Sequence, residues 1–260
     1  MTFGDLKSEI RQLEPWFHNL HLPGGVQTCP DHVLGDFPAF KWQSIEPTLP
    51  RDLGGLSVLD IGCNAGFYSF ELAKRGATVD AFDIDDHYLK QATWAAQKLG
   101  LQGRIRFERK HLYELARTER RWDLVLFLGV FYHLRYPLLG LDIVSRCVEK
   151  LLVFQSMTMP GSAIDEVPPD LGLDERQRLT RPGWPKMAFI EHRLAGDETN
   201  WWAPNSAGLE AVLRSSGLSV VARPAHEIYV CSPHRDSDSS MWTWNEQEYW
   251  AAIGGKGAGG

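Results

Sequence analysis

Val58-Leu59-Asp60-Ile61-Gly62-Cys63-Asn64-Ala65-Gly66-Phe67-Tyr68 is the stretch from which the rest of the chain can be read. An apolar run, Leu56 to Ile61, ends in a turn of small residues, and a helical pattern follows over 66–75 with Phe67, Phe70, Leu72 and Ala73 as its apolar positions. Strand, glycine turn, helix is the order that builds a nucleotide-type cofactor site. Gly62 and Gly66 remove side chains where a ligand or the next helix must come close. The start of the helix adds unpaired N–H groups and a partial positive charge.

The turn discriminates between cofactors. A dinucleotide site wants G-x-G-x-x-G, whose middle glycine lets backbone meet pyrophosphate. Here Asn64 holds the middle position, and Asp60 stands two residues before the first glycine. A carboxylate there suits a cation, such as the amino and sulfonium end of S-adenosyl-L-methionine. Strand two, 77–82, runs into Asp83, a carboxylate placed for ribose hydroxyls in either kind of site. Asp60 and Asn64 therefore speak against a nicotinamide enzyme, whereas Asp83 is neutral.

The nine residues Val58 to Gly66 resemble the first motif of class I S-adenosylmethionine-dependent methyltransferases. Phe127-Leu128-Gly129-Val130-Phe131-Tyr132-His133, with Pro137-Leu138 behind it, resembles the branch around the tRNA wobble-uridine carboxymethyltransferases. The resemblance covers roughly residues 56 to 232. It implies a Rossmann-like α/β fold, a doubly wound seven-stranded mostly parallel sheet, with an N-terminal helical arm and an insertion after strand five. It also implies that Asp60, Gly62 and Gly66 hold the methionine end, with Asn64 in the same cofactor-binding turn, that Asp83 holds the ribose, and that adenine sits near the end of strand three, about Lys110 to Leu112, beside His111 and Leu112. Many relatives carry an acid where this chain has His111, so backbone contacts or another residue must serve there, and His111 reads equally as a surface histidine. Gly129, Tyr132 and His133 fall beside the transferring methyl. Tyr132 can orient the acceptor or touch the donor's methionine end, and His133 can serve as general base or can buttress the loop by hydrogen bonding.

The branch spends basic residues on the extra carboxylate of its donor. Its arginine falls at Thr199 of Thr199-Asn200-Trp201-Trp202-Ala203-Pro204, and its arm lysine has no counterpart in Pro23-Gly24-Gly25-Val26-Gln27-Thr28. An unpaired, desolvated carboxylate is costly. The expected donor is therefore plain S-adenosylmethionine, and the case for tRNA weakens with it.

Alternating strands and helices argue for a parallel sheet. The remaining expected elements are helix 86–99 capped by Gly100, strands 104–108, 123–128 and 149–155, helix 138–147, helix 206–215, and strands 218–222 and 226–232 with the last antiparallel. Three regions result: 1–50, a helical arm and lid; 51–232, the methyltransferase domain, with 156–204 as a substrate-cover insertion; and 233–260, a tail. A helix over 3–17 with Leu6, Ile10, Leu13 and Phe17 on one face opens the arm, and a short helix over 41–49 closes it. Between them, 18–40 reads either as a lid or as an ordered arm. The insertion, rich in Trp and Pro, reads as a substrate cover or as an oligomer contact. The tail ends in a glycine-rich run expected to be disordered, after Trp242, Trp244 and Trp250, which suggest docking.

A chain of 260 residues with 43% hydrophobic residues can bury a real core. A net charge of −6 argues against a general electrostatic grip on nucleic acid. Arg104, Arg106, Arg109 and Lys110, with Arg117, Arg120 and Arg121, read as a solvated face more readily than as a phosphate site. Cys29, Cys63, Cys147 and Cys231 show no metal spacing and suit a cytoplasmic, reducing compartment. His18, His21, Asp31, His32 and His192 match no tight metal motif. No run approaches membrane length, and Met1 to Arg11 is no signal peptide. The function expected is methyl transfer from S-adenosyl-L-methionine to a small-molecule acceptor, in a possible homo-oligomer. The alternatives are a tRNA wobble-uridine enzyme and a non-catalytic interaction protein on the same fold.

Overall fold

The computed structural model describes residues 3–234 and 240–255. Seven strands form the central sheet: β3 (Ser57–Ile61), β4 (Thr78–Asp83), β5 (Ile105–Arg109), β6 (Trp122–Leu128), β7 (Val148–Gln155), β10 (Leu218–Ala225) and β11 (Ile228–Pro233). Their order is β10-β11-β7-β6-β3-β4-β5. The four inner pairings from β7 to β5 are parallel, and β11 runs antiparallel to both β7 and β10. The outline therefore follows the sequence expectation, with strand ends shifted by up to three residues. The order reverses between β3 and β6, which opens a crevice at the carboxyl ends of the strands, where such sheets bind ligands.

Two cores lie on the two faces because successive strand residues point opposite ways. On one face Val58, Val79, Ala81, Leu124 and Leu126 pack under α3 (Phe67–Lys74) and α4 (Asp86–Leu99). On the other, Leu59, Ile61, Val125 and Phe127 pack under α5 (Pro137–Cys147) and α6 (Ser206–Ser215). The outer element of this second face is α7 (Ser240–Ala252), whose Tyr249 is 5% exposed and donates its hydroxyl to the Ala116 carbonyl at 3.0 Å. Arg146 ties it down, with its guanidinium 3.8 Å from the Tyr249 ring centre and 2.5 Å from Glu246. The tail thus docks on its own domain. The disorder expected at its end, 256–260, and Trp242's side chain lie outside the described residues.

The arm departs from expectation at its start. Helix α1 (Phe3–Gln12) stops before Pro15 rather than running to residue 17, since proline offers no N–H and its ring crowds the preceding turn. Leu6 and Ile10 are buried, but Phe17 lies beyond the helix and is 43% exposed. The chain from 18 to 40 forms a tiny hairpin, β1 (His21–Leu22) with β2 (Val26–Gln27), before α2 (Ala39–Ile45). The residues between α1 and this hairpin pack against the domain. Gln91 of α4 donates to the Leu13 carbonyl at 2.6 Å, and Trp16 meets Trp94 at 5.7 Å between ring centres. His18 is enclosed by the rings of Phe37, Phe67 and Tyr68, and burial drives its pKa down to about 3, so it is neutral. Within the insertion, β8 (Met187–Phe189) pairs antiparallel with β9 (Trp202–Pro204).

Candidate functional site

The turn after β3 is built by backbone conformations that few side chains allow. Gly62 has φ +70 and Gly66 φ +87, and Asn64 takes φ +50, a value asparagine tolerates better than most residues. A Cβ on Gly62 would sit 2.5 Å from Val130 Cγ2, and one on Gly66 would sit 2.8 Å from Phe70 Cζ. Both glycines therefore admit close packing of protein as well as ligand. Asp83, the last residue of β4, reaches across to this turn. Its Oδ2 accepts the Asn64 N–H at 2.9 Å and its Oδ1 accepts the Asp85 N–H at 3.0 Å.

Asp60 lies beneath the turn, 2% exposed, and its Oδ2 accepts the Ser69 hydroxyl at 2.6 Å. It thereby caps the first turn of α3 from the strand below. Burial first, then the charge of Asp83, pushes Asp60 up to about 6, against the hydrogen bonds from Ser69. Burial likewise raises Asp83. Neither carboxylate has an ion-pair partner among the described residues. A ligand bringing positive charge to this turn would relieve the strain of two desolvated acids, and a pyrophosphate would worsen it. The donor set thus fits an ammonium–sulfonium ligand such as S-adenosylmethionine.

His111 and Leu112 separate. His111 is exposed, stacks on Tyr113 at 4.8 Å and caps the following 3-10 turn by accepting the Tyr113 N–H. Leu112 is 3% exposed with its side chain in the core, so only its backbone is available to a ligand. Gly129, at φ +72, follows β6, and a short turn then carries Tyr132 and His133. Burial, with the charges of Glu227 and Asp197, pushes Tyr132 up to about 12.

The insertion reaches this loop. The Trp201 N–H donates to the Tyr132 carbonyl at 2.9 Å, and Arg135 stacks on Trp201 at 4.9 Å and on Phe189 at 5.3 Å. The Thr199 hydroxyl lies 2.9 Å from His133 Nδ1. Asp197 is near enough to Tyr88, which hydrogen-bonds Asn64, for its charge to raise that phenol alongside the effect of burial.

Besides Asp197, two residues escaped the sequence reading. Glu227, in the β10–β11 turn, accepts the Thr158 N–H at 2.8 Å and the Gln155 amide at 3.2 Å. Lys41 of α2, half-buried over the Phe37 ring, is held down by burial and lies within the field of Glu227. The arm therefore does bring a lysine toward the crevice, though not from Pro23–Thr28. Only long-range folding joins these groups, so no local pattern marks them. The basic cluster is largely consumed in ion pairs: Arg120 with Asp80, Arg109 with Asp86, Lys110 with Glu108 and Arg121 with Glu149. Among the described residues no group of three or more His, Cys, Asp or Glu is placed to hold a metal, and no helix is long and apolar enough to cross a membrane.

Residues 58–150 match the family model described as a methyltransferase domain. The chain is 29% identical over 224 residues to a tRNA U34 carboxymethyltransferase of Pseudomonas putida, covering 85% of this chain and 61% of that protein. It is 26% identical over 241 residues to the enzyme of that name from Idiomarina loihiensis, covering 88% and 64%. The chain thus spans about three-fifths of the length of these curated relatives. Among solved structures, the N-terminal domain of EvdMO1, crystallised with SAH and D-fucose, is 19% identical at a TM-score of 0.62 over 90% of this chain and 98% of that one. An S-adenosylmethionine-dependent methyltransferase described as putative from Listeria monocytogenes is 16% identical at 0.54, covering 76% and 99%. Fold and family model together define the class: residues 58–150 match a methyltransferase domain, and the chain shares its fold with a solved structure described as an S-adenosylmethionine-dependent methyltransferase. Within that class, its sequence likeness is to the tRNA U34 carboxymethyltransferases.

Proposed function

We propose that the chain is a methyltransferase that uses plain S-adenosyl-L-methionine and a small-molecule acceptor. The observation that carries the donor is the pair Asp60 and Asp83, two desolvated carboxylates flanking one glycine turn with no cation of their own among the described residues. Asp83 would take the ribose, and the Gly62–Gly66 turn the methionine end. Bound there, the donor supplies a methyl group already activated by a positive sulfur. The protein's share is alignment, exclusion of water and removal of the acceptor's proton. Tyr132 and His133, on the loop beside Gly129, are the residues proposed for that work, under a cover formed by the insertion.

The uncarboxylated donor is supported by what stands around Thr199. That threonine donates to Asp197 at 2.7 Å, and Glu227 adds a second negative group near Tyr132. A carboxylate on the transferred carbon would face two acids there. Lys41 opposes this, but Glu227 shares its field.

A second reading, methylation of tRNA at the wobble uridine, is favoured by the names of the curated relatives. The ion-paired basic cluster favours the small acceptor. Transfer of a labelled methyl group from the donor, into a tRNA fraction and separately into a cell extract stripped of macromolecules, tests both. Label in the stripped extract alone supports the proposal, label in tRNA alone replaces it with the second reading, and label in neither contradicts both.

A further inference from the structure

His133 lies 66 positions before Thr199 in the chain, yet the insertion brings the two into contact. Its Nδ1 is 2.9 Å from Thr199 Oγ1 and 3.3 Å from the Thr199 carbonyl oxygen. The Thr199 hydroxyl donates to Asp197 Oδ1 at 2.7 Å, and the Thr199 N–H donates to the same oxygen at 2.7 Å. Asp197 Oδ2 stands 3.8 Å from His133 Nδ1.

The protons in this set can be placed by elimination. A carbonyl oxygen only accepts, and the Thr199 hydroxyl proton is already directed at a carboxylate. Nδ1 must therefore donate. The neutral imidazole then carries its proton on Nδ1 and its free lone pair on Nε2, and Nε2 has no hydrogen-bond partner among the described residues. An acid that orients a histidine through its Nδ1 leaves the other nitrogen poised as a base.

We propose that Asp197 and Thr199 are positioning residues that hold His133 in the Nδ1–H form, so that Nε2 is the general base for an acceptor bearing an ionisable O–H or N–H. This rests on the methyltransferase reading above and narrows the acceptor class within it: a thioether, which has no proton to lose, gains nothing from such a base. In the step, Nε2 takes the acceptor's proton and the freed lone pair bonds to the methyl carbon. The electron pair of the carbon–sulfur bond returns to sulfur, leaving imidazolium, methylated acceptor and a neutral thioether. Only when 197–201 lies on the Tyr132–His133 loop, pinned by the Trp201 N–H to Tyr132, is the tautomer fixed. Burial lowers His133, and Asp197 and Thr199 partly offset this, which keeps the imidazole neutral at ordinary pH. The titratable and charged groups around it are Asp197 from the insertion, Tyr132 beside it at 4.3 Å between ring centres, Arg135 on the same loop, and Tyr88 and Glu227 behind Asp197 and Tyr132.

The test needs neither donor nor acceptor. Nitrogen-15 NMR of the full chain at pH 8, read through two-bond couplings to the ring protons, assigns the tautomer of each histidine, with His133→Gln identifying the resonance. A predominant Nδ1–H form for His133 is expected, against the Nε2–H form that free histidine prefers. Thr199→Val and Asp197→Asn should shift the population toward Nε2–H, and Thr199→Ser should keep the wild-type pattern. Backbone amide spectra establish that each variant is folded. An Nε2–H majority in the wild type, or folded Thr199→Val and Asp197→Asn variants that leave the tautomer unchanged, would overturn the proposal. Loss of donor binding would instead sink the methyltransferase reading and leave the tautomer result standing.

Discussion

Asp83 Oδ2 accepts the Asn64 backbone N–H at 2.9 Å, joining the end of β4 to the left-handed residue in the middle of the glycine turn. The same carboxylate is the one proposed for the ribose, so it both shapes the turn and faces the ligand. Asp83→Ala should weaken S-adenosylmethionine binding at least tenfold, about 1.4 kcal/mol or more. Asp83→Asn, which can still accept the Asn64 N–H, should keep the turn and lose less. Titration calorimetry reads both, and equal affinity in all three proteins would refute the assignment.

Asp60 offers a prediction whose sign is set by linkage. Its folded pKa, about 6, lies above the ordinary carboxylate value of 3.8. The folded state therefore holds the proton more tightly than the unfolded chain. The group's stabilising contribution is complete below pH 3.8 and is lost as pH rises through about 6. Asp60→Asn should consequently raise the unfolding free energy at pH 7.5 by on the order of 1–3 kcal/mol, read by chemical denaturation, provided its amide oxygen still accepts the Ser69 hydroxyl. A cationic ligand pulls the same pKa down. Binding near pH 6 should release protons in the wild type, seen as a buffer-dependent enthalpy, and release fewer in Asp60→Asn.

Packing at Gly62 can be separated from backbone conformation. Gly62→Ala would place a Cβ 2.5 Å from Val130 Cγ2 at a φ of +70. The cost should be roughly 2–4 kcal/mol, part steric and part the left-handed backbone. Val130→Ala in the same chain should recover the steric part and leave about 1 kcal/mol. Chemical denaturation of the single and double variants measures this, and strictly additive losses would contradict the contact.

Donor choice follows from the acids near Tyr132. Plain S-adenosylmethionine should bind as tightly as the carboxylated form or more tightly. Thr199→Arg should move the preference toward the carboxylated donor, because a guanidinium can pair with a carboxylate bidentately. Competition between the two donors in one titration series decides it, and a strong wild-type preference for the carboxylated compound would reverse the reading of Thr199.

The sheet was legible because its inner strands are buried on both faces and so stand out as apolar runs between glycine turns. Helix 206–215 and the Gly100 cap were equally plain, since Gly100 takes φ +70 where a helix ends. Helix α1 was overextended because Phe17 kept the apolar spacing beyond Pro15, and spacing alone does not register a lost N–H. Asp60 and Asp83 were found because both sit at fixed offsets from one turn. Lys41, Glu227 and Asp197 were missed as a group. They come from the arm, the last hairpin and the insertion, and only tertiary folding sets Glu227 and Asp197 near Tyr132 and Lys41 within the field of Glu227. The tautomer of His133 was illegible for the same reason, since both its partners lie in a segment with no periodic pattern.

The measurement closest to the central claim is a calorimetric titration of the full chain with S-adenosylmethionine, run beside NADH under the same conditions. Saturable one-to-one binding of the sulfonium with none of the dinucleotide is the outcome expected of two unpaired carboxylates at a glycine turn. Binding of NADH, or no binding of S-adenosylmethionine to a folded chain, would contradict it.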